Sequence, residues 1–284
     1  MKAVKLWGGL GNQMFQYAFG IYLSKKYGCD INYYTHVGVP VSECFINVIV
    51  NNVPFLSEEE QRSMGCHYKD LLHYRIERKV AQKIPFLFTK LYVEKKICYH
   101  EMLPEKSVLF DGYWQSYKYL KDIDAQIKSS FSYVKIMNPF IMSEIQDSDS
   151  VFVHIRRGDY MNGKNQILFE ECKMDYYVKA IDMMCSLVSN PKFFIFSNDI
   201  DWVKSNFKIA GVSVVFVENE KSVDDFVCMK SCKHAIIANS TFSWWAAWLI
   251  SNKFKRIIAP LNWYRNGKMN KTTSDLIPED WIRI

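Results

Sequence analysis

Val151-Phe-Val-His-Ile-Arg-Arg-Gly-Asp-Tyr160 is the stretch on which the reading of this chain turns. The apolar run from Val151 to Ile155 is what a strand covered on both faces of a parallel sheet requires. Two arginines and a glycine follow at once. Guanidinium groups stay charged and form paired bonds to phosphate oxygens, so the strand is expected to end in an anion-binding site. A structural salt bridge to Asp159 is the competing account of the arginines. Side chains alternate along a strand, which puts His154 and Arg156 on one face. A hydrogen-bonded core histidine is the alternative for His154.

Working outward, strands at Phe193–Phe196, Val212–Val217, Ala235–Ala238 and Ile257–Ala259 alternate with helical stretches at 175–188, 201–207, 223–232 and 242–251. Apolar strands separated by helices indicate a parallel sheet with both faces covered. An earlier series begins with a strand at Lys2–Trp7, a glycine turn at Gly8–Gly11, a helix from Asn12 to Tyr27 and a strand at Cys29–Tyr34. Residues 35–100 show no clear period. Order returns with a strand at Ser107–Phe110 and a helix over Ser116–Phe131, and the polar Gln146–Ser150 reads as a linker. The expected architecture is α/β: two Rossmann-like domains, residues 1–147 and 148–284, facing a central cleft.

A chain of 284 residues, 49% hydrophobic and 23% charged, has the balance of an ordinary globular protein. No apolar run reaches the ~20 residues that a membrane-spanning helix needs. The N-terminal strand runs straight into Gly8-Gly9 without a secretory apolar segment, so a cytoplasmic location is expected. The eight cysteines are scattered, with no C-x-x-C spacing, and read as reduced thiols. The net charge of +6 would favour a phosphorylated substrate or an anionic membrane face. Basic residues gather in Arg75–Lys96 and Lys253–Lys271, but neither stretch resembles a nucleic-acid module.

In an open parallel sheet, ligands bind beyond the carboxyl ends of the strands. Three polar clusters fall there: Gly8–Gln13, His154–Asp159 and Asn239–Ser243. Met14 replaces the third glycine of a dinucleotide fingerprint, so the first cluster fails as an NAD motif. It remains a tight turn whose amides and Asn12 reach a ligand, or one in which Asn12 merely caps the helix. Ser240 and Thr241 open a helix as anion ligands or ordinary caps, and Trp244, Trp245 and Trp248 read as core. Of the three D-x-D tripeptides (Asp122–Asp124, Asp147–Asp149, Asp199–Asp201), the last follows a strand where metal-binding acids could sit. Asp199 is equally placed as an N-cap. Asp225 either completes a capping box with Ser222 or accepts hydrogen bonds from guanine N1 and N2, which uracil could not supply.

Taken together, G-G-L-G-N-Q-M-F-Q-Y-A (8–18), G-Y-W-Q-S (112–116), H-I-R-R-G-D-Y (154–160), F-S-N-D (196–199) and A-N-S-T-F-S-W-W-A-A-W-L (238–249) resemble the α-1,2-fucosyltransferases over nearly the whole chain. Residues 35–100 carry no such match, and acceptor specificity is expected there. The resemblance implies a GT-B-like fold and GDP-fucose as co-substrate, with no cofactor and no metal. Fucose would pass with inversion to the 2-hydroxyl of a galactose in an oligosaccharide, either free or lipid-linked. A bacterial enzyme of surface polysaccharide (O-antigen) synthesis is the implied setting, at most peripherally attached to the inner face of the plasma membrane.

By the same resemblance, Arg156 would bind the β-phosphate, and Arg157 the loop or the phosphates. His154 and Asp225 would lie near guanine, while Gly11, Ser240, Thr241 and Phe242 would line the donor. Asp159 is one candidate base; late proton loss helped by Asn12 is the other. The rivals are a fucosyltransferase of another linkage, a transferase of another GDP-sugar, and a non-catalytic glycan-binding protein.

Overall fold

Among the described residues, the strands form two sheets in which every pairing is parallel. Parallel neighbours cannot be joined by tight turns, so every pairing demands a long crossover, here mostly helical. The computed structural model describes residues 1–35, 40–66, 71–84, 90–131, 138–157 and 167–284. The chain divides into two compact units, Met1–Val134 with Thr272–Leu276 and Lys135–Lys271 with Ile277–Ile284.

The first unit contains β1 (Lys2–Leu6), α1 (Leu10–Tyr27), β2 (Ile31–Thr35), α2 (Glu58–Met64), α3 (Leu71–Lys83), β3 (Leu91–Val93), β4 (Leu109–Asp111) and α4 (Asp124–Ser130). Its sheet has the order β2-β1-β4-β3. Helix α1 ends where Gly28 turns left-handed at φ 60° and returns its N–H to Ser24 O; Lys25 and Lys26 meet the negative end of the helix dipole. The helix buries Phe19 face to face on Trp114, with ring centroids 3.9 Å apart. Gly20 lets it approach β2, because a Cβ there would collide with the Tyr33 hydroxyl.

The absence of a period over residues 35–100 has a structural reason. Among the described residues, this stretch forms two 3₁₀ turns, the seven-residue α2 and the three-residue β3, all too short to repeat a pattern. Helix α3 is long enough, but its inward face carries Tyr74 and Arg78 along with Ala81. Those polar groups serve a buried charge. Asp111, fully enclosed at the end of β4, accepts from Arg78 Nε at 3.0 Å and from the Tyr74 hydroxyl, and Lys5 Nζ lies 3.6 Å away. Burial pulls the Lys5 amine down to about 8 against the opposing pull of Asp111.

The second unit contains α5 (Pro139–Gln146), β5 (Asp149–Ile155), α6 (Met174–Leu187), β6 (Pro191–Ser197), α7 (Ile200–Asn206), β7 (Ser213–Phe216), α8 (Ser222–Ser231), β8 (His234–Ile236), α9 (Thr241–Leu249), β9 (Ile257–Ala259), α10 (Gly267–Thr272) and β10 (Ile282–Arg283). Its sheet runs β7-β6-β5-β8-β9-β10. Counted in order of appearance this is 3-2-1-4-5-6, the strand order of dinucleotide-binding folds, with its switch point between β5 and β8.

Two boundaries differ from the sequence reading. The units part between Val134 and Lys135, not at 147/148, because α5 packs with α8 and β5 in the second unit. Gln146–Ser150 is no linker: α5 runs to Gln146 and β5 begins at Asp149. The chain also returns to the first unit near its end. Asp275 Oδ2 accepts from Tyr99 N at 2.6 Å and from Ser116 Oγ at 3.0 Å.

Removing the carboxylate of Asp111 would leave Lys5 buried without its counter-charge. Asp111→Ala is therefore expected to lower unfolding free energy by about 3–5 kcal/mol in urea titrations, with Asp111→Asn falling between it and the native protein.

Candidate active site

At a switch point, the helices that follow two neighbouring strands lie on opposite faces of the sheet and leave a crevice between them. The second unit shows this directly. Val151, Val153 and Ile155 of β5 pack against Tyr177, Ala180, Ile181 and Met184 of α6. His154, facing the other way, lies beside Phe242 of α9, with ring centroids 5.9 Å apart. The alternation continues past the strand end and separates the two arginines.

Arg157 turns to the α6 and α7 side. Its guanidinium carbon sits 3.4 Å from the centroid of the Trp202 ring, its Nε is 3.4 Å from Asp199 Oδ2, and Nη1 is 3.7 Å from Glu171 Oε1. Its backbone N–H donates to Asn198 Oδ1 at 2.9 Å. Stacking and two carboxylates balance this charge locally. These contacts tie the end of β5 to the loops that carry Asn198 and Glu171. They also engage Asp199, whose side chain makes no helix-cap bond. Its D-x-D partner Asp201 is exposed in the first turn of α7.

Arg156 continues on the face of His154, and its charge is one reason the imidazole resists protonation. Burial is the larger reason, and together they pull His154 down to about 3, so the ring is neutral at physiological pH. Its carbonyl accepts from the Tyr177 hydroxyl at 3.1 Å, while its buried Nδ1 has no hydrogen-bond partner among the described residues. Asp159 lies outside the described residues.

Beyond β8, Asn239 is buried and Nδ2 donates to Glu170 O at 2.5 Å and to Trp263 O at 2.9 Å, tying two loops together. Ser240 occupies the N-cap of α9 but makes no side-chain cap bond, and Thr241 is the first helical residue. Trp244 and Trp245 are fully buried behind them. Phe242 is half-buried and touches Phe226 of α8, with centroids 5.4 Å apart.

Asp225 forms no capping box with Ser222, since Lys221 is the N-cap of α8 and makes no side-chain bond. Its Oδ1 instead accepts from Asn219 Nδ2 at 3.0 Å. Burial pushes the carboxyl up to about 7, with Asp224 adding to the rise and Asn219 opposing it.

The first unit repeats the arrangement at β1 and β4. Helix α1 begins at Leu10 with Gly9 as N-cap, so Asn12 sits inside the first turn and is not a cap. Its Oδ1 accepts from Gln115 Nε2 at 2.9 Å. Gly8 is required: its φ is 78°, and a Cβ would lie 2.7 Å from Asn12 Nδ2. Gln13 and Gln16 are buried in α1 and bond Gly8 O at 2.9 Å and Gly112 O at 3.3 Å. The Gly112–Ser116 turn is held by Glu94, which accepts from Tyr113 N at 2.6 Å and Trp114 N at 3.2 Å. That grip keeps Trp114 in the left-handed region at φ 56°.

Thus Arg156, Arg157, His154, Asp225, Ser240, Thr241 and Phe242 belong to the second unit, whereas Gly11 and Asn12 belong to the first. Sequence reasoning placed Gln13 and Asn239 only within strand-end clusters and missed Gln16, Glu94 and Asp111 as organisers. Asn239 had a readable signal, an amide directly after an apolar strand. The glutamines did not, because nothing local distinguishes a buried glutamine in a helix from an exposed one.

Residues 92–284 match the model of glycosyl transferase family 11. An alpha-1,2-colitosyltransferase of Escherichia coli is 31% identical, covering 99% of this chain and 97% of that protein. Galactoside alpha-(1,2)-fucosyltransferase 2 of Rattus norvegicus is 29% identical over 60% of this chain and 51% of its own. Among solved structures, fucosyltransferase NodZ from Bradyrhizobium covers 86% of this chain and 90% of its own with a TM-score of 0.52. At 12% identity that likeness is one of fold, and the two Rossmann-like units make the fold GT-B-like.

Proposed function

The chain belongs to glycosyl transferase family 11, and from that premise we propose that it moves L-fucose from GDP-fucose to the 2-hydroxyl of a galactose residue, inverting the anomeric centre without a metal. The observation that carries this reading is the separation of the arginines. Arg157 is held by Asp199 and Glu171 on the side of α6 and α7, while Arg156 lies close enough to His154 for its charge to disfavour the imidazolium.

Breaking the fucose C1–O bond puts negative charge on GDP as an oxocarbenium-like centre forms. A guanidinium fixed beside the β-phosphate stabilises that charge more in the transition state than in the ground state. The amides and hydroxyls of Ser240 and Thr241 add donors at a helix N-terminus. A neutral His154 can bond the donor through Nδ1 without competing for the phosphates, and Phe242 supplies an apolar wall. Asp225 is the guanine reader, with Asn219 holding one of its oxygens. Gly11 and Asn12 serve from the first unit, where Asn12 assists late proton loss from the acceptor; Asp159 is the alternative base. The acceptor is a galactose-containing oligosaccharide, lipid-linked in the synthesis of a bacterial surface polysaccharide.

A second reading has its own support. A relative named an alpha-1,2-colitosyltransferase supports colitose, which is fucose without its 3-hydroxyl, as the sugar moved, with GDP-colitose as the corresponding donor here. Comparing kcat/KM for the two donors on one galactoside, with the product linkage read by NMR, separates them.

Arg156→Ala is expected to lower kcat about 10²–10³-fold while the circular dichroism spectrum stays native, and full activity would remove Arg156 from the mechanism. EDTA is expected to leave the rate unchanged; loss restored by Mn²⁺ would move the donor site to Asp199 and Asp201. The carboxyl of Asp225, raised to about 7, must be ionised to accept from guanine N1–H and N2–H. Affinity for GDP-fucose should therefore rise with pH through 7, about tenfold between pH 6 and pH 8, and Asp225→Asn should flatten that dependence in calorimetric titrations.

A further inference from the structure

Helix α3 has two faces of different chemistry. Inward, Tyr74 and Arg78 stand one turn apart and grip Asp111 at the carboxyl end of β4. Outward, Leu72 and Ile76 are also one turn apart and are 64% and 56% exposed. Arg75, Lys79 and Lys83 are exposed around them, and Glu77 is the only acid of the helix. Single exposed aliphatic residues need no explanation. A pair on one stripe with a basic surround is the pattern of a helix lying in a membrane interface. The grip on Asp111 prevents the helix from rolling to bury the pair.

We propose that the outer face of α3 is a docking surface for an anionic lipid bilayer. Leu72 and Ile76 enter the boundary between headgroups and acyl chains, and Arg75, Lys79 and Lys83 meet the lipid phosphates. Charge complementarity selects this occupant. The chain carries +6 overall, so a bilayer of negative potential attracts this face, whereas the same face on a second copy repels it. No helix among the described residues is long and apolar enough to cross a membrane. Docking through α3 would hold the carboxyl end of the first sheet close to the lipid surface, because Asp111 terminates β4 and anchors the helix together. This places a lipid-borne acceptor within reach, a consequence that rests on the transferase reading; the lipid binding itself does not.

The test is co-sedimentation of the whole chain with vesicles of phosphatidylcholine containing phosphatidylglycerol, against phosphatidylcholine alone. Binding is expected only to the anionic vesicles and should weaken with salt. Each basic residue near such a surface is worth about fivefold, so the Lys79→Glu, Lys83→Glu double variant should bind at least about tenfold more weakly. The Leu72→Ser, Ile76→Ser double variant should also bind more weakly, which attraction by charge alone would not produce. Both variants should keep the native circular dichroism spectrum and the native affinity for GDP-fucose, and should transfer sugar to a vesicle-borne galactoside more slowly. Equal sedimentation with both vesicle types, or variants that bind like the native chain, would overturn the proposal. So would a native dimer in sedimentation velocity that Leu72→Ser, Ile76→Ser dissolves without any vesicle binding. Vesicle binding by a chain inactive on every galactoside would support the docking surface and overturn the transferase specificity instead.

Discussion

Strand β5 is paired on both edges and covered on both faces, and the second unit is organised around that confinement. A strand so enclosed has only its carboxyl end for chemistry. Because successive side chains alternate, whatever leaves that end is shared between the two faces. Two arginines adjacent in sequence therefore come into different surroundings. One is stacked on Trp202 and bonded to carboxylates, and the other continues beside His154. The same enclosure keeps His154 neutral, since burial disfavours its cation and the nearby Arg156 disfavours it further.

The first unit buries two carboxyl groups, one at the end of β4 and one directly after β3. Asp111 gathers Lys5, Arg78 and Tyr74, and Glu94, pushed up to about 8 by burial, spends its oxygens on the backbone of Tyr113 and Trp114. Buried ion pairs add little net stability, but losing one partner is costly, so such clusters specify geometry. Here they hold a turn with Trp114 in the left-handed region and fix the roll of α3.

Helix capping was one of two readings that the sequence left open at three positions. Asn12, Asp199 and Asp225 each carry a side chain suited to capping a helix. In the folded chain Asn12 meets Gln115, Asp199 meets Arg157 and Asp225 meets Asn219. A cap needs only neighbours in sequence, whereas these partners lie 103, 42 and 6 residues away, and the first two are brought near only by the sheet. The strands at 151, 193 and 257 were legible because buried parallel strands are apolar almost continuously. The segment between 35 and 100 was not, because elements of three to seven residues repeat no pattern and α3 spends its inward face on polar contacts.

The sequence by itself determined the α/β class, the alternation of apolar strands with helices, and the polar clusters that punctuate strand ends. These follow from side-chain hydrophobicity and periodicity, which are local properties. Only the tertiary structure decided that α5 joins the second unit, that residues 272–276 return to the first, and that Arg157 meets Asp199 and Glu171. Those outcomes depend on strand order and on which face a side chain leaves, and both are set by pairing between segments far apart in the chain. The stretch 151–157 spelled out a buried strand and two charges; their separate environments came from the helices that the switch point puts on either side.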